Sequence, residues 1–199
     1  MPLPDWARAH GPPLFTARIR SRPDDFEVTE VLGWELSGDG EHDYLWVEKT
    51  GANTEWTARQ LARFADIPAR DVGYAGLKDR HAVTEQWFSV HLPGRPDPDW
   101  QALDSDSITL LRSTRHTRKL RRGALLGNAF RLRVRGLAGE PDALQERLQQ
   151  VAAAGVPNYF GEQRFGLGGS NLVTAVRLFD GASLRLSRHK RGLALSAAR

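Results

Sequence analysis

No cysteine occurs anywhere in this 199-residue chain, which excludes disulfides, thiolate metal sites and a cysteine nucleophile. Histidine is sparse: none of the six pairs with another at metal-ligand spacing, so a bound metal is not expected. No apolar run approaches the roughly 20 residues that span a bilayer, which argues against a membrane partner. The first residues, MPLPDWARAHGPP, lack the apolar core of a secretory signal and read as a Pro-rich arm. Internal repeats are absent too. A reducing, cytoplasmic setting is the expectation.

What is present suits a folded domain. Hydrophobic residues make up 40% of the chain and charged residues 26%, with both signs interspersed, unlike a disordered segment. The net charge is only +4, but the positive residues cluster. Arg112, Arg115, Arg118, Lys119, Arg121 and Arg122 fall in one short stretch with His116. Arg185, Arg188, His189, Lys190 and Arg191 form a second. Concentrated positive charge is the electrostatic footprint of a phosphate backbone.

Strand and helix patterns are mixed without a βαβ rhythm, which predicts an α+β fold with a mixed, mainly antiparallel sheet. Strands are predicted within 18–31, at Tyr44–Val47, Gln86–Leu92 and Ser107–Leu111. In 128–135, NAFRLRVR, strict alternation puts Phe130, Leu132 and Val134 on one face, read as the core side, and three arginines on the other. Asn53 or Thr54 starts a helix presenting Trp56, Leu61 and Phe64, which stops before Pro68. Further helices run from Pro141 to Gly155 and from Ser170 or Asn171 to Gly181. The final RGLALSAAR begins a helical pattern without a stop signal, and a natural end and a fragment boundary both stay open for Arg199.

The stretch GYAGLKDRHAVTEQWFSV (73–90) is the most specific. Gly73 and Gly76 permit a tight turn with close approach by a ligand. Asp79 stands among Lys78, Arg80 and His81, and neighbouring cations keep a carboxylate ionised, as a nucleophile requires. The alternative from the residues alone is a surface turn whose aspartate is ion-paired for solubility.

Residues 76–86 resemble the catalytic motif of the TruD family of tRNA pseudouridine synthases, G-x-K-D-[KR]-x-A-x-T-x-Q. RKLRRGALLGNAFRL (118–132) and VPNYFGEQRFGLGGSNL (156–172) match the same family in the same order. The resemblance implies isomerisation of uridine to pseudouridine in tRNA, at position 13 in bacterial members, without a cofactor. Asp79 matches the catalytic aspartate, and the order of chemical steps stays open. Arg20 stands where the family has a lysine placed to pair with that aspartate, a fork replacing a point charge. Phe130 matches an aromatic that stacks on the target base, with core packing as its alternative. Asn128 matches a residue near the base, or is a turn former. Lys78 touches phosphate or is solvated. Arg164, among Tyr159, Phe160 and Phe165, suits stacking on splayed RNA bases.

The family pattern further implies that residues 1–155 belong to the catalytic domain and that 156–199 begin an inserted TRUD domain. The complete enzyme is expected to be longer and monomeric, and this chain alone weakly active or inactive. The other reading, from a different class, is a tRNA-binding or RNA-chaperone-like module without catalysis.

Overall fold

The computed structural model describes residues 7–181, apart from the side chains of Gln163 and Leu167. The chain divides into two compact units, one spanning Phe15–Gly139 and the other combining the N-terminal arm up to Leu14 with the part from Glu140 onward. In the larger unit the strands are β1 (Thr16–Arg18), β2 (Phe26–Val31), β3 (His42–Thr50), β4 (Val72–Tyr74), β5 (Val83–His91), β6 (Ile108–His116), β7 (Gly127–Leu132) and β8 (Arg135–Ala138). Helix α1 (Thr54–Phe64) follows β3. The main sheet has the order β6-β3-β5-β2-β7, with β4 added to β5. Only β2 and β5 run parallel; the other pairs are antiparallel. β1 and β8 form a separate two-stranded ribbon.

The two faces of the sheet have different covers. Leu45, Val47, Phe88 and Val90 point to a first face, where α1 packs. The buried side of α1 is Thr54, Thr57, Ala58, Leu61 and Ala62. Small alanines let the helix approach the sheet, and only Leu61 of the three predicted apolar residues is fully buried; Trp56 and Phe64 stay half exposed. On the second face Tyr44, Leu120 and Leu32 form another cluster, with Trp87 against it. Gly73 serves this packing rather than a ligand. A Cβ there would lie 2.6 Å from Ser89 Oγ and nearer still to the Leu120 carbonyl.

The predicted strand 128–135 breaks in two, between β7 and β8. Asp25, fully buried, causes the break: its carbonyl accepts from the Arg133 N–H at 2.8 Å and its carboxylate receives the Arg135 guanidinium at 2.8–2.9 Å. The core reading of the alternating face is corrected. Among the described residues β7 is an edge strand pairing only with β2, and Phe130, Leu132 and Val134 are 66%, 46% and 47% exposed. Alternation tells which residues share a face, not whether anything covers it.

Asp43 on β3 is buried with one oxygen 2.6 Å from the Trp100 indole nitrogen, whose N–H donates to it. Burial pushes it up to about 6 from 3.8, against that hydrogen bond and helped by nearby Asp97. A carboxyl whose folded value is raised contributes stability below its unfolded value and loses it as pH rises through about 6. Asp43→Asn, which keeps an oxygen for Trp100, is therefore expected to raise stability at pH 7.5 by up to about 3 kcal/mol. Urea titrations of both proteins at pH 7.5 and pH 4.5 check it. The gap should shrink at the lower pH, and an equal gap at both would refute charge burial as its cause.

In the smaller unit, α2 (Pro141–Ala154) and α3 (Ser170–Phe179) flank short 3-10 turns at Glu162–Phe165 and Leu167–Gly169. The His10 ring meets the Gly155 carbonyl at 2.9 Å, tying the N-terminal arm to the end of α2.

Candidate active site

The loop 75–82 joins β4 to β5 over the first face of the sheet, and buried polar groups hold it from below. The Lys78 main-chain N–H donates to Thr54 Oγ1 at 3.0 Å, and that hydroxyl donates to Gln86 Oε1 at 2.8 Å. Gln86 Nε2 in turn donates to the Gly76 carbonyl at 3.3 Å. Lys49, 1% exposed, donates its ammonium to the carbonyls of Ala52 at 2.8 Å and Asp79 at 3.1 Å. Buried polar groups of this kind persist where their partners are satisfied, and a satisfied network is rigid.

Lys78 does not reach outward. Its ammonium lies 2.6 Å from Glu30, whose side chain is fully buried and whose other oxygen accepts the Trp87 N–H at 3.2 Å. The solvated reading of Lys78 is thereby corrected; the pair fastens the loop to β2. Asp79 itself is exposed, and among the described residues no ion pair takes its carboxylate. The paired surface turn is therefore not what the structure has. Arg80 also turns away, its Nε donating to the Gly51 carbonyl at 3.1 Å.

The register aligns the remaining residues. Lys49 pairs with Thr84, Thr84 with Val28, and Val28 with Phe130, so one row crosses β3, β5, β2 and β7 on the first face. Asn128, opposite Glu30, is exposed one step along the same face. Phe130 stacks on Phe26 with ring centres 6.0 Å apart and planes 10° from parallel. Arg20 caps the stack. Its guanidinium lies 4.3 Å from the centre of the Phe26 ring, and no ion pair joins it to Asp79 among the described residues. Arg20 has φ of 55°, a left-handed conformation unusual away from glycine.

The buried cation beneath the loop is Lys49, whose ammonium meets the Asp79 main-chain carbonyl, whereas Arg20 lies on Phe26. Burial pushes the Lys49 ammonium down to about 8 from 10.5, with the Asp79 charge opposing and Lys78 adding to the fall. Lys49, Glu30, Thr54 and Gln86 do not stand out in the sequence, because each lies on a strand or helix end as one ordinary polar residue. The signal available was a lysine in the buried phase of β3, alternating with Leu45 and Val47.

The basic stretch is split. Arg115 is consumed by structure: it pairs with Asp97 and donates to the carbonyls of Leu92 and Arg95 at 3.3 and 2.8 Å, so an outward role for it in RNA binding is corrected. Arg112 is exposed on β6. Arg122 lies 4.4 Å over the Tyr74 ring and 3.8 Å from Glu55 of α1. Arg118 and Arg121 are exposed on the second face, and the Lys119 ammonium donates to the Arg70 carbonyl. In the smaller unit Arg164 stacks over Phe160 at 5.0 Å, with Tyr159 and Phe160 both largely exposed. The cluster 185–191 lies outside the described residues.

Comparison with known proteins gives a consistent result. The model of the family described as tRNA pseudouridine synthase D (TruD) matches residues 10–175. The chain is 58% identical over 195 residues to the tRNA pseudouridine synthase D of Methylococcus capsulatus, covering 98% of this chain and 55% of that protein. It is 53% identical over 199 residues to that of Cellvibrio japonicus, covering 98% and 59%. The chain thus spans a little over half the length of these relatives. The crystal structure of the putative tRNA pseudouridine synthase D from Methanosarcina mazei superposes with a TM-score of 0.64 at 28% identity, over 75% of this chain and 35% of that one. The expected mixed, mainly antiparallel α+β fold is borne out.

Proposed function

This chain belongs to the tRNA pseudouridine synthase D (TruD) family, and on that premise we propose that the Asp79 loop isomerises uridine in tRNA to pseudouridine. The observation that carries the proposal is an exposed carboxylate on a loop fastened from beneath by Lys49, Thr54, Glu30 and Gln86. In the reaction the C1′–N1 bond breaks and a C1′–C5 bond forms; the C5 hydrogen leaves and N1 gains a proton. Asp79 either attacks C1′ or takes the C2′ proton, and both demand the anion. A pinned loop places that anion without a further entropic cost at the moment of reaction. Phe130 offers the exposed ring on which the uracil stacks, with Asn128 beside its polar edge. Arg20, lifted off Phe26, reaches the phosphate or the carboxylate once RNA is seated.

The tRNA partner, position 13 as the target and a cytoplasmic, monomeric complete enzyme belong to the same proposal. So does the assignment of 1–155 to the catalytic domain and 156–199 to the inserted TRUD domain. Among the described residues no helix is long and apolar enough to cross a membrane. The test is to incubate the complete enzyme, this chain extended by the C-terminal half of a relative, with unmodified tRNA and map pseudouridine along it; the chain alone should convert it weakly or not at all. Conversion at position 13 by the complete enzyme is the expected result; tRNA that it binds but never converts would favour the non-catalytic reading.

Phe130 provides a second test. Stacking on a base is worth about 1–3 kcal/mol, so Phe130→Ala should slow turnover by roughly 5–150-fold while Phe130→Tyr stays near the parent. Because the ring is exposed, the melting temperature of either variant should barely move. A large fall in stability with turnover unchanged would return Phe130 to a packing role.

A further inference from the structure

A cavity of about 630 Å³ opens on the second face of the sheet, away from Asp79. Trp34, His42, Tyr44 and His116 line it together with Arg118, Lys119 and Arg121. Its position follows from strand alternation: Tyr44 points opposite to Leu45, and Leu120 packs with Tyr44 while its N–H donates to Ser89 Oγ at 2.9 Å.

The walls are fixed. The Tyr44 hydroxyl donates to the Arg118 carbonyl at 3.0 Å. The His116 ring meets Tyr44 edge-on at 5.0 Å and its Nδ1 accepts the Ser37 N–H at 3.2 Å. The Lys119 ammonium is held on the Arg70 carbonyl. Two kinds of group are left facing solvent. The Trp34 ring is 39% exposed, and the exposed guanidinia of Arg118 and Arg121 enter no ion pair among the described residues.

An indole beside two unpaired guanidinia matches the needs of an unstacked nucleotide. The base has a π-face for the ring, and the phosphates are anions for the arginines. The volume lies within the range of small-ligand sites. Residues 118–122 also connect the two faces. Leu120 packs on the second face beside Gly73, and two residues later Arg122 lies on Tyr74, whose ring packs on Phe88 of the first.

We propose that this cavity is a second nucleotide site, which holds an unstacked base of the RNA on Trp34 with its phosphates on Arg118 and Arg121 while the target uridine occupies the opposite face. The inference rests on the RNA-modifying reading above, and it adds a site, a ligand class and Trp34 as the recognition residue.

The test uses the whole protein with three probes: a single-stranded oligouridylate, uridine monophosphate and inorganic phosphate. NMR follows the Trp34 indole N–H, assigned with Trp34→Phe, and polarisation follows oligonucleotide affinity. The oligonucleotide and the monophosphate should shift the Trp34 signal, and phosphate alone should not. Trp34→Ala should weaken oligonucleotide binding by roughly 5–150-fold, the range of one lost base stack. Arg118→Gln with Arg121→Gln should weaken it further and flatten its salt dependence by about one to two phosphate contacts. These side chains are exposed, so melting temperatures should hold. Binding that leaves the Trp34 signal and the variants' affinities unchanged overturns the proposal, as does an absence of binding. If phosphate alone reproduces every change, the cavity is an anion site and the base-recognition claim fails. Pseudouridine formation is scored separately. Turnover by the chain extended with a relative's C-terminal half, with Trp34 unmoved, sinks the second site alone, and Trp34 shifts without turnover by that extended enzyme sink the catalytic reading alone.

Discussion

In the complete enzyme, Asp79→Asn is expected to lower uridine isomerisation by at least about 10³-fold while tRNA affinity stays within about two-fold. Asparagine keeps the size of the side chain and loses the anion, which both chemical routes require. The variant should fold normally, because Asp79 is exposed and its carboxylate is in no ion pair among the described residues. The loop is held through the Lys78 N–H and side chain, the Gly76 carbonyl and the Asp79 carbonyl, none of which the substitution alters. Release of tritium from C5-labelled uridine measures the chemistry, and polarisation measures binding. Turnover above a few per cent of the parent would remove Asp79 from the reaction.

In the complete enzyme, Lys49→Met is expected to cut turnover by on the order of 100-fold while costing no more than about 3 kcal/mol of stability. The buried ammonium is held below its ordinary value, at about 8, chiefly by desolvation. A base with a depressed folded value burdens the fold below that pH, here by roughly 3 kcal/mol at neutrality. Methionine removes this burden but leaves the Ala52 and Asp79 carbonyls without their donor, a cost of about 1–3 kcal/mol each. The two effects oppose each other in stability, leaving a net loss of no more than about 3 kcal/mol. They do not offset in position, because the Asp79 carbonyl loses its anchor. Hydrogen exchange across 76–82 should quicken in Lys49→Met and return toward the parent in Lys49→Arg. The parent's turnover should decline as pH rises through about 8, where the ammonium deprotonates, and this limb should vanish in the variant. Unchanged exchange with unchanged turnover would show that Lys49 only fills space.

The sequence exposed the site's address better than its construction. Asp79 stands out because Lys78, Arg80 and His81 surround it within an extended motif. Yet the first two of these neighbours are engaged elsewhere: Lys78 goes to Glu30 and Arg80 to Gly51. The supporting cation is Lys49, thirty residues earlier, and only the pairing of β3 with β5 brings it beneath the loop. Spacing within one segment cannot reveal a neighbour supplied by another strand. Similarly, Phe130, Leu132 and Val134 were legible as one face, but their exposure depends on β7 ending the sheet. Arg115 resembled its basic neighbours in sequence and is taken up by hydrogen bonds to the carbonyls that follow β5. Trp34 carried no local signal at all, because the cavity it lines is closed by residues 116–121.

The proposed mechanism puts the target uridine on the first face, between the Asp79 loop and β7. Photocrosslinking of tRNA carrying 4-thiouridine at the target position, with the attached peptide identified by mass spectrometry, measures that position itself. Attachment should fall within 75–82 or 127–132 and be reduced in Phe130→Ala. Attachment confined to the second face around Trp34, or to residues 140–181, would place the reacting base elsewhere and contradict the mechanism.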